Sequence, residues 1–397
     1  MKKVLIGIII SLLILLTVLS YQNNQIRYNS KIFLNKTFSI NSEIKYNKLF
    51  KVNDLSISTS DYYYSYLDKL EKQIYTNIIY SIKDLENEVI VSNISKDLSH
   101  DEINKKIEKV MNYIFLDHPE IYYVSSKYSI FIVKNNLLNG VVINLNYEFS
   151  KSEILENNKK INNEIDRITL NVKNKNQYEI ELELHDYVAK NIDYLIYEKS
   201  NLIEEKYHSI YGPLIEKKGV CDGLSKTLQI LFNKMGIASI LVTGKSDEVG
   251  HGWLMVNIDN SWYNLDITGN KYIDDEYNNV EFVSHAYFNV TTESLKNTHE
   301  FNNEDLLPIS NSNINNYYVK EDLTINTNEN FSKKIKEIFD KQKDNLYIEF
   351  SSNYKGDIIS KIIEELYNTN YLNNQIKKNN NKIKYYKQGN VYTIKNN

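Results

Sequence analysis

From Ser60 onward apolar residues recur at three- and four-residue intervals, at Leu67, Leu70, Ile74, Ile78 and Ile82, the spacing of one face of an α-helix. A second helix is expected over Asp101–Phe115. Beyond a turn at Asp117-His118-Pro119-Glu120 the pattern changes to short runs of β-branched and aromatic residues, Ile121–Val124, Tyr128–Val133 and Val141–Tyr147. Asn139-Gly140, between the last two, is a strong hairpin signal. A polar helix near 151–170 follows, then another over Gln177–Asn191. Leu224, Leu228, Leu231, Phe232 and Met235 next mark one face of a helix that begins at or beside Cys221, with Gly236 suited to the position just past its end. His251–Ile258 and Trp262–Asp266 read as two strands joined at Asp259-Asn260-Ser261. Towards the end come a strand at Tyr317–Ile325, a helix with Phe331, Ile335, Ile338 and Phe339 on one face, and a strand at Leu346–Phe350. A helix with Ile358, Ile362 and Leu366 and a hairpin turning at Gln388-Gly389 complete a βαβαββ order.

These elements divide the chain into an α+β unit at 56–175, a core at 176–292, a polar connector at 293–315 and a C-terminal βαβαββ unit at 316–397. Before them, Lys2 and Lys3 precede an apolar run from Val4 to Leu19, near the lower length limit for spanning a bilayer. Residues 1–20 are expected to be an uncleaved signal anchor and 21–55 a polar tether. The positive-inside rule then leaves the body extracytoplasmic on a single-pass chain, with secretion after cleavage as the alternative.

A length of 397 residues with 42% apolar and 25% charged residues is that of a folded chain with room for two or three domains. Arg27 and Arg167 are the only arginines among 47 basic residues, a bias toward Lys, Asn, Ile and Tyr that reads as coding bias. A net charge of -4 with no basic stripe gives no footprint for nucleic acid. The single cysteine permits no intramolecular disulfide, so an exported body must hold itself together by core packing.

Against that bias, most of the chain's glycines, both tryptophans and its cysteine fall between Gly212 and Gly269. Cys221, then His251, then Asp266 give thiol, imidazole and carboxylate in the order a papain-type nucleophilic site requires. A free thiol has a pKa of about 8.5 and attacks only as thiolate, so something must favour the anion. The start of a helix does so, and its unpaired N–H groups also suit a tetrahedral oxyanion. Asp222 opposes it, and a neighbouring imidazolium must outweigh that carboxylate. If the two strands pair with Trp253 opposite Asp266, His251 is the diagonal neighbour of Asp266 on the same face, roughly 7–8 Å away at the backbone. The carboxylate can then orient the imidazole for the thiol. The remaining histidines, His100, His118, His185, His208, His285 and His299, show no metal-ligand spacing, and neither a zinc nor a calcium motif is indicated.

With those residues in view, the segment from Leu184-His185-Asp186-Tyr187 through Tyr211-Gly212-Pro213-Leu214, Gly219-Val220-Cys221-Asp222-Gly223, Met235-Gly236-Ile237, Val242-Thr243-Gly244, His251-Gly252-Trp253 and Trp262-Tyr263-Asn264-Leu265-Asp266-Ile267-Thr268 resembles the transglutaminase-like superfamily, in particular its membrane-anchored or secreted bacterial members. The resemblance implies a papain-like α+β core flanked by two small α+β units, a Cys221, His251 and Asp266 triad, and no cofactor. It implies a thioester acyl-enzyme formed on an amide of a protein or peptidoglycan peptide and resolved by an amine or by water. Tyr211 and Trp253 are candidates for lining the acyl pocket. Leu224 and Gly269 depart from the commoner pattern, beside the triad. The competing reading is a non-catalytic surface scaffold or binding module that keeps the fold.

Overall fold

The computed structural model describes residues 27–32, 61–134, 139–195, 203–273, 280–326, 330–345, 347–354, 356–368 and 385–395. It divides into two compact units, Met1–Ile165 with Leu202–Tyr211, and Asp166–Asn201 with Gly212–Asn397. The expected anchor at 1–20 lies outside the described residues, and among these no helix is long and apolar enough to cross a membrane.

In the first unit, α1 (Lys69–Lys83) starts later than its apolar spacing implies, because Asp68 and Glu71 form a capping box that fixes the first turn. Residues Tyr63–Tyr66 ahead of it are a 3-10 turn. Ile74, Ile78 and Ile82 are fully buried, as the periodicity requires. β1 (Glu88–Ser92) follows, a five-residue run too short to stand out in the sequence. α2 (His100–Asp117) is capped by Ser99 and Glu102 in the same way as α1. β2 (Val124–Lys134) and β3 (Asn139–Tyr147) complete an antiparallel sheet of order β1–β3–β2, and α3 (Lys151–Thr169) is the expected polar helix.

The hairpin expected at Asn139-Gly140 forms between β2 and β3, but these two residues are not its turn. Asn139 pairs with Lys134 and Gly140 with Val133, while Ser92 of β1 pairs with Gly140 from the other side. Ladder bonds from two neighbours override the local turn preference. Residues 27–32, expected in the tether, are instead helical, with Tyr28 and Ile32 packed against Val133 and Val142 of the sheet.

The second unit opens with α4 (Gln177–Asn191), at the expected bounds and capped by Asn176. A two-residue parallel ladder joins β4 (Asp193–Tyr194) to β5 (Lys218–Gly219), which leads directly into α5 (Cys221–Lys234). Then come β6 (Ser239–Ser246), β7 (Val249–Ile258) and β8 (Ser261–Leu265), followed by the small pair β9 (Lys271–Ile273) and β10 (Val280–Val283). Asp259 and Asn260 both have positive φ, as a tight two-residue hairpin turn demands.

The polar connector is not a spacer. It holds α6 (Thr292–Leu295) and β11 (His299–Phe301), and β11 adds to the edge of β6 to give a core sheet of order β11–β6–β7–β8. Residues 316–397, expected as a unit of their own, fall with the core in the second unit. There the expected strand at Tyr317–Ile325 is a short helix, α7 (Tyr317–Lys320), and a strand of two residues, β12 (Thr324–Ile325). Tyr318 makes the difference: helical placement buries its ring in the local core and lets its hydroxyl accept from the backbone N–H of His285. α8 (Phe331–Lys341), β13 (Tyr347–Ser352), α9 (Ile358–Asn368), β14 (Tyr385–Gln388) and β15 (Val391–Lys395) follow the βαβαββ order, in a sheet β12–β13–β15–β14.

Candidate active site

Helix α5 presents Cys221 at its first position. Val220 before it is extended and offers no side-chain cap. The helix is held by its buried side, with Leu224, Leu228, Leu231 and Phe232 fully enclosed. Its far end closes in a Schellman motif: Ile237 N–H donates to Phe232 O at 2.9 Å and Gly236 N–H to Asn233 O at 3.1 Å, with Gly236 at φ +73°. The Ser225 hydroxyl donates to Gly252 O at 3.1 Å, which clamps the first turn beside His251. Asp222 caps the Gly223 N–H at 3.1 Å and lies 3.6 Å from Lys226, so its charge is partly compensated before it acts on the sulfur.

The β7–β8 pairing matches Leu254 with Leu265 and Met255 with Asn264, the register that sets His251 and Asp266 on one face. His251 Nε2 donates to Asp266 Oδ2 at 3.1 Å. Its other nitrogen, Nδ1, is left for Cys221, whose charge acts on the His251 ring. Burial would lower the His251 pKa, but the Asp266 charge and hydrogen bond, together with Cys221, raise it to about 10. For Asp266, burial pushes the other way from its neighbours. The His251 charge and the hydrogen bonds from His251 and His299 hold it below the usual carboxylate range.

Asp266 is 1% exposed and fully occupied. Its Oδ1 accepts from Thr268 N–H at 2.9 Å, its own N–H donates to Tyr287 O at 3.1 Å, and Oδ2 also accepts from His299 Nε2 at 3.2 Å. Gly269, one of the departures from the family pattern, is explained here. A Cβ at that position would come within 2.6 Å of the Tyr287 ring and 2.7 Å of Asp266 Oδ2. Gly244 has the same character on β6, where a Cβ would meet Glu300 O at 1.9 Å; its absence lets β11 close in and deliver His299.

Trp253, expected to line an acyl pocket, is 0% exposed. It stacks under His251 with ring centroids 6.1 Å apart and meets His299 and Phe301 edge-on, so it supports the imidazole from below. Tyr211, the other expected pocket residue, falls in the first unit, its ring against those of Tyr122 and Phe149.

Residues 166–267 match the family model of the transglutaminase-like superfamily. The chain carries a transglutaminase-like domain. Its core is α+β, with the cysteine helix against an antiparallel sheet that bears the histidine. Solved structures similar to the chain include a crystal structure of a TGase, at 20% identity over 48% of this chain and 54% of that one, TM-score 0.26. A candidate cysteine protease from Cytophaga hutchinsonii is 15% identical over 36% of this chain and 63% of that one, TM-score 0.23. A candidate protease from Parabacteroides distasonis is 12% identical over 34% of this chain and 30% of that one, TM-score 0.22. The chain thus spans about half the length of the TGase structure. No curated protein matches the chain.

Among the described residues of this unit, two groups have the composition of metal ligands, His251 with Asp266 and His299, and His185 with Asp186 and His285. Neither grouping was visible in the sequence spacing. In the second, Asn270 Oδ1 accepts from Tyr287 N–H at 2.8 Å, which turns its amide NH2 toward His185 Nε2 at 3.0 Å. That nitrogen therefore accepts, and the His185 proton sits on Nδ1, donating to Asp186 Oδ1 at 3.1 Å. The lone pair a metal would need is already spent. His285 completes the network by donating to two carboxylates, Nε2 to Asp186 Oδ1 at 2.9 Å and Nδ1 to Glu349 Oε2 at 3.2 Å. Burial would lower its pKa, but those two partners raise it to about 9. The arrangement is a buried imidazolium joining α4 to β13.

Proposed function

We propose that the chain is a cell-surface cysteine enzyme in which Cys221 takes an acyl group from an amide of a protein or cell-wall peptide and passes it to an amine or to water. The observation that supports this reading most directly is the hydrogen bond by which Asp266 holds His251 through Nε2, beside a cysteine that heads a helix. Nδ1 of His251 is thereby left for the thiol, whose charge acts on the ring. The thiolate attacks the amide carbon, and the C–O π pair moves onto oxygen. The N–H groups of the first turn of α5 can receive that oxyanion. His251 then gives its proton to the amide nitrogen as the C–N bond breaks, which leaves a thioester on sulfur and a neutral amine or ammonia. In the second half His251, now neutral, takes a proton from the acceptor amine or water as it attacks the thioester, and the thiolate departs. Asp266 stays ionised throughout and fixes the imidazole tautomer.

The surface location in this reading is supported by the Val4–Leu19 run, near the lower length limit for spanning a bilayer, with Lys2 and Lys3 before it favouring a body outside the cytoplasm. The test is alkylation of Cys221 by iodoacetamide at pH 6, against a urea-unfolded control and a Cys221→Ala variant. Native labelling at least tenfold faster than the unfolded thiol, lost in Cys221→Ala, is expected. Native labelling no faster than unfolded would overturn the reading. A screen with a glutamine acyl donor, with and without an amine acceptor, following ammonia release, then separates transamidation from hydrolysis.

A further inference from the structure

His299 lies beyond the matched segment, on β11, and nothing in the chemistry above requires it. Its side chain is 1% exposed, and both ring nitrogens are engaged: Nε2 with Asp266 Oδ2 at 3.2 Å, Nδ1 with Thr298 Oγ1 at 2.8 Å. Asp266 is ionised and can only accept, so Nε2 must carry a proton. The Thr298 hydroxyl, 2.8 Å from Nδ1, also reaches Leu295 O at 3.3 Å, so it is the contact to Asp266 that places a proton on Nε2. The same Oδ2 accepts from His251 Nε2 at 3.1 Å. One carboxylate oxygen is therefore shared between two imidazoles whose ring centroids are 5.5 Å apart. Trp253 packs edge-on against His299 with centroids 5.1 Å apart, and so does Tyr287, its centroid 5.5 Å away.

We propose that His299 is a positioning residue of this site, which pins Asp266 and sets how strongly that carboxylate holds the His251 proton. The proposal rests on the reading of Cys221, His251 and Asp266 as the reacting group. Asp266 pinned by His299 and by the Thr268 N–H cannot rotate away when His251 shifts toward a leaving group. By drawing charge from Oδ2, His299 also moderates the pull of Asp266 on His251. Without it the local potential is more negative, so the thiolate forms at higher pH and the imidazolium persists to higher pH. The groups facing the thiol and imidazole are Asp266 from the end of β8, Asp222 and Lys226 from α5, Tyr194 from β4, Tyr287 from the loop after β10, and His299. Only His299 donates a side-chain hydrogen bond to the oxygen that His251 uses, among the described residues.

The test measures iodoacetamide alkylation of the full chain from pH 4 to 11 for wild type, His299→Phe and His299→Gln. In His299→Phe both limbs of the profile are expected to move up by on the order of half a pH unit or more, as loss of one hydrogen bond to a charged group implies. His299→Gln, which keeps an N–H donor, should return them most of the way. Unchanged limbs in a folded His299→Phe overturn the proposal and leave the reacting group intact. A wild type that labels like an unfolded thiol overturns both. Nitrogen-15 shifts of the wild-type imidazoles supply a readout that needs no variant: His299 with a protonated Nε2 is the expected result, and a bare Nε2 refutes the hydrogen bond to Asp266.

Discussion

Neutralising the buried His285 imidazolium should cost the second unit a defined amount of stability over a defined pH range. His285 is 8% exposed, and its pKa is raised from 6.5 to about 9 by the two carboxylates it joins. A group raised on folding contributes fully below its unfolded value and loses that contribution as pH climbs through its folded value. The interval corresponds to on the order of 3 kcal/mol, present at pH 6.5 and gone by about pH 9.5. Asp186 is held low by the same contacts and is not counted again. The perturbation is His285→Gln, and the assay is urea unfolding followed by tryptophan fluorescence at pH 6 to 9.5. Trp253 and Trp262 both belong to the second unit, so the signal reports that unit. His251, raised to about 10, loses stability with the same sign over part of this range, but it does so in both proteins and cancels in the difference. The gap between wild type and His285→Gln should be widest near pH 6 and narrow by about 3 kcal/mol toward pH 9.5. A gap that stays constant across the range would refute the buried imidazolium.

Two further outcomes follow from the site. Asp266→Asn removes the charge that holds His251 protonated, and alkylation of Cys221 at pH 6 should fall by about one to two orders of magnitude while circular dichroism remains native; undiminished labelling would show that the carboxylate is not coupled to the thiol. Gly269→Ala places a methyl group against Asp266 Oδ2 and the Tyr287 ring, and should lower stability by about 1–3 kcal/mol and slow labelling at pH 6. An unchanged melting temperature together with an unchanged labelling rate would mean that the loop yields without moving the carboxylate.

What the sequence made legible was local. The α4 bounds, the start of α5 at Cys221 and the His251–Asp266 phase each depend on a periodicity or a turn within about twenty residues. Elements decided by distant partners were not legible. Asn139-Gly140 carries a turn signal that two flanking strands override, and Tyr317-Tyr318 carries a strand signal that a buried ring and its hydrogen bond to the His285 backbone override. His299 lay in a segment whose polarity reads as linker, because a three-residue edge strand has no room for a periodic pattern. The His185, Asp186, His285 and Glu349 network joins positions up to 164 residues apart in number, and only the fold makes them neighbours. Trp253 was placed on the right strand, but its wholly buried ring follows from β11 covering it.

The matched segment ends at residue 267, one position past Asp266, while the groups that hold this carboxylate come mostly from later in the chain. Thr268, Tyr287 and His299 all lie past that boundary, as does Asn270, which links Tyr287 to His185. The stretch recognisable by sequence and the portable unit of chemistry are therefore different objects. Transplanting 166–267 into another scaffold would transfer a thiol, an imidazole and a carboxylate but strip the last of its restraints. Exchange of this module between proteins has to carry the downstream strand along with it.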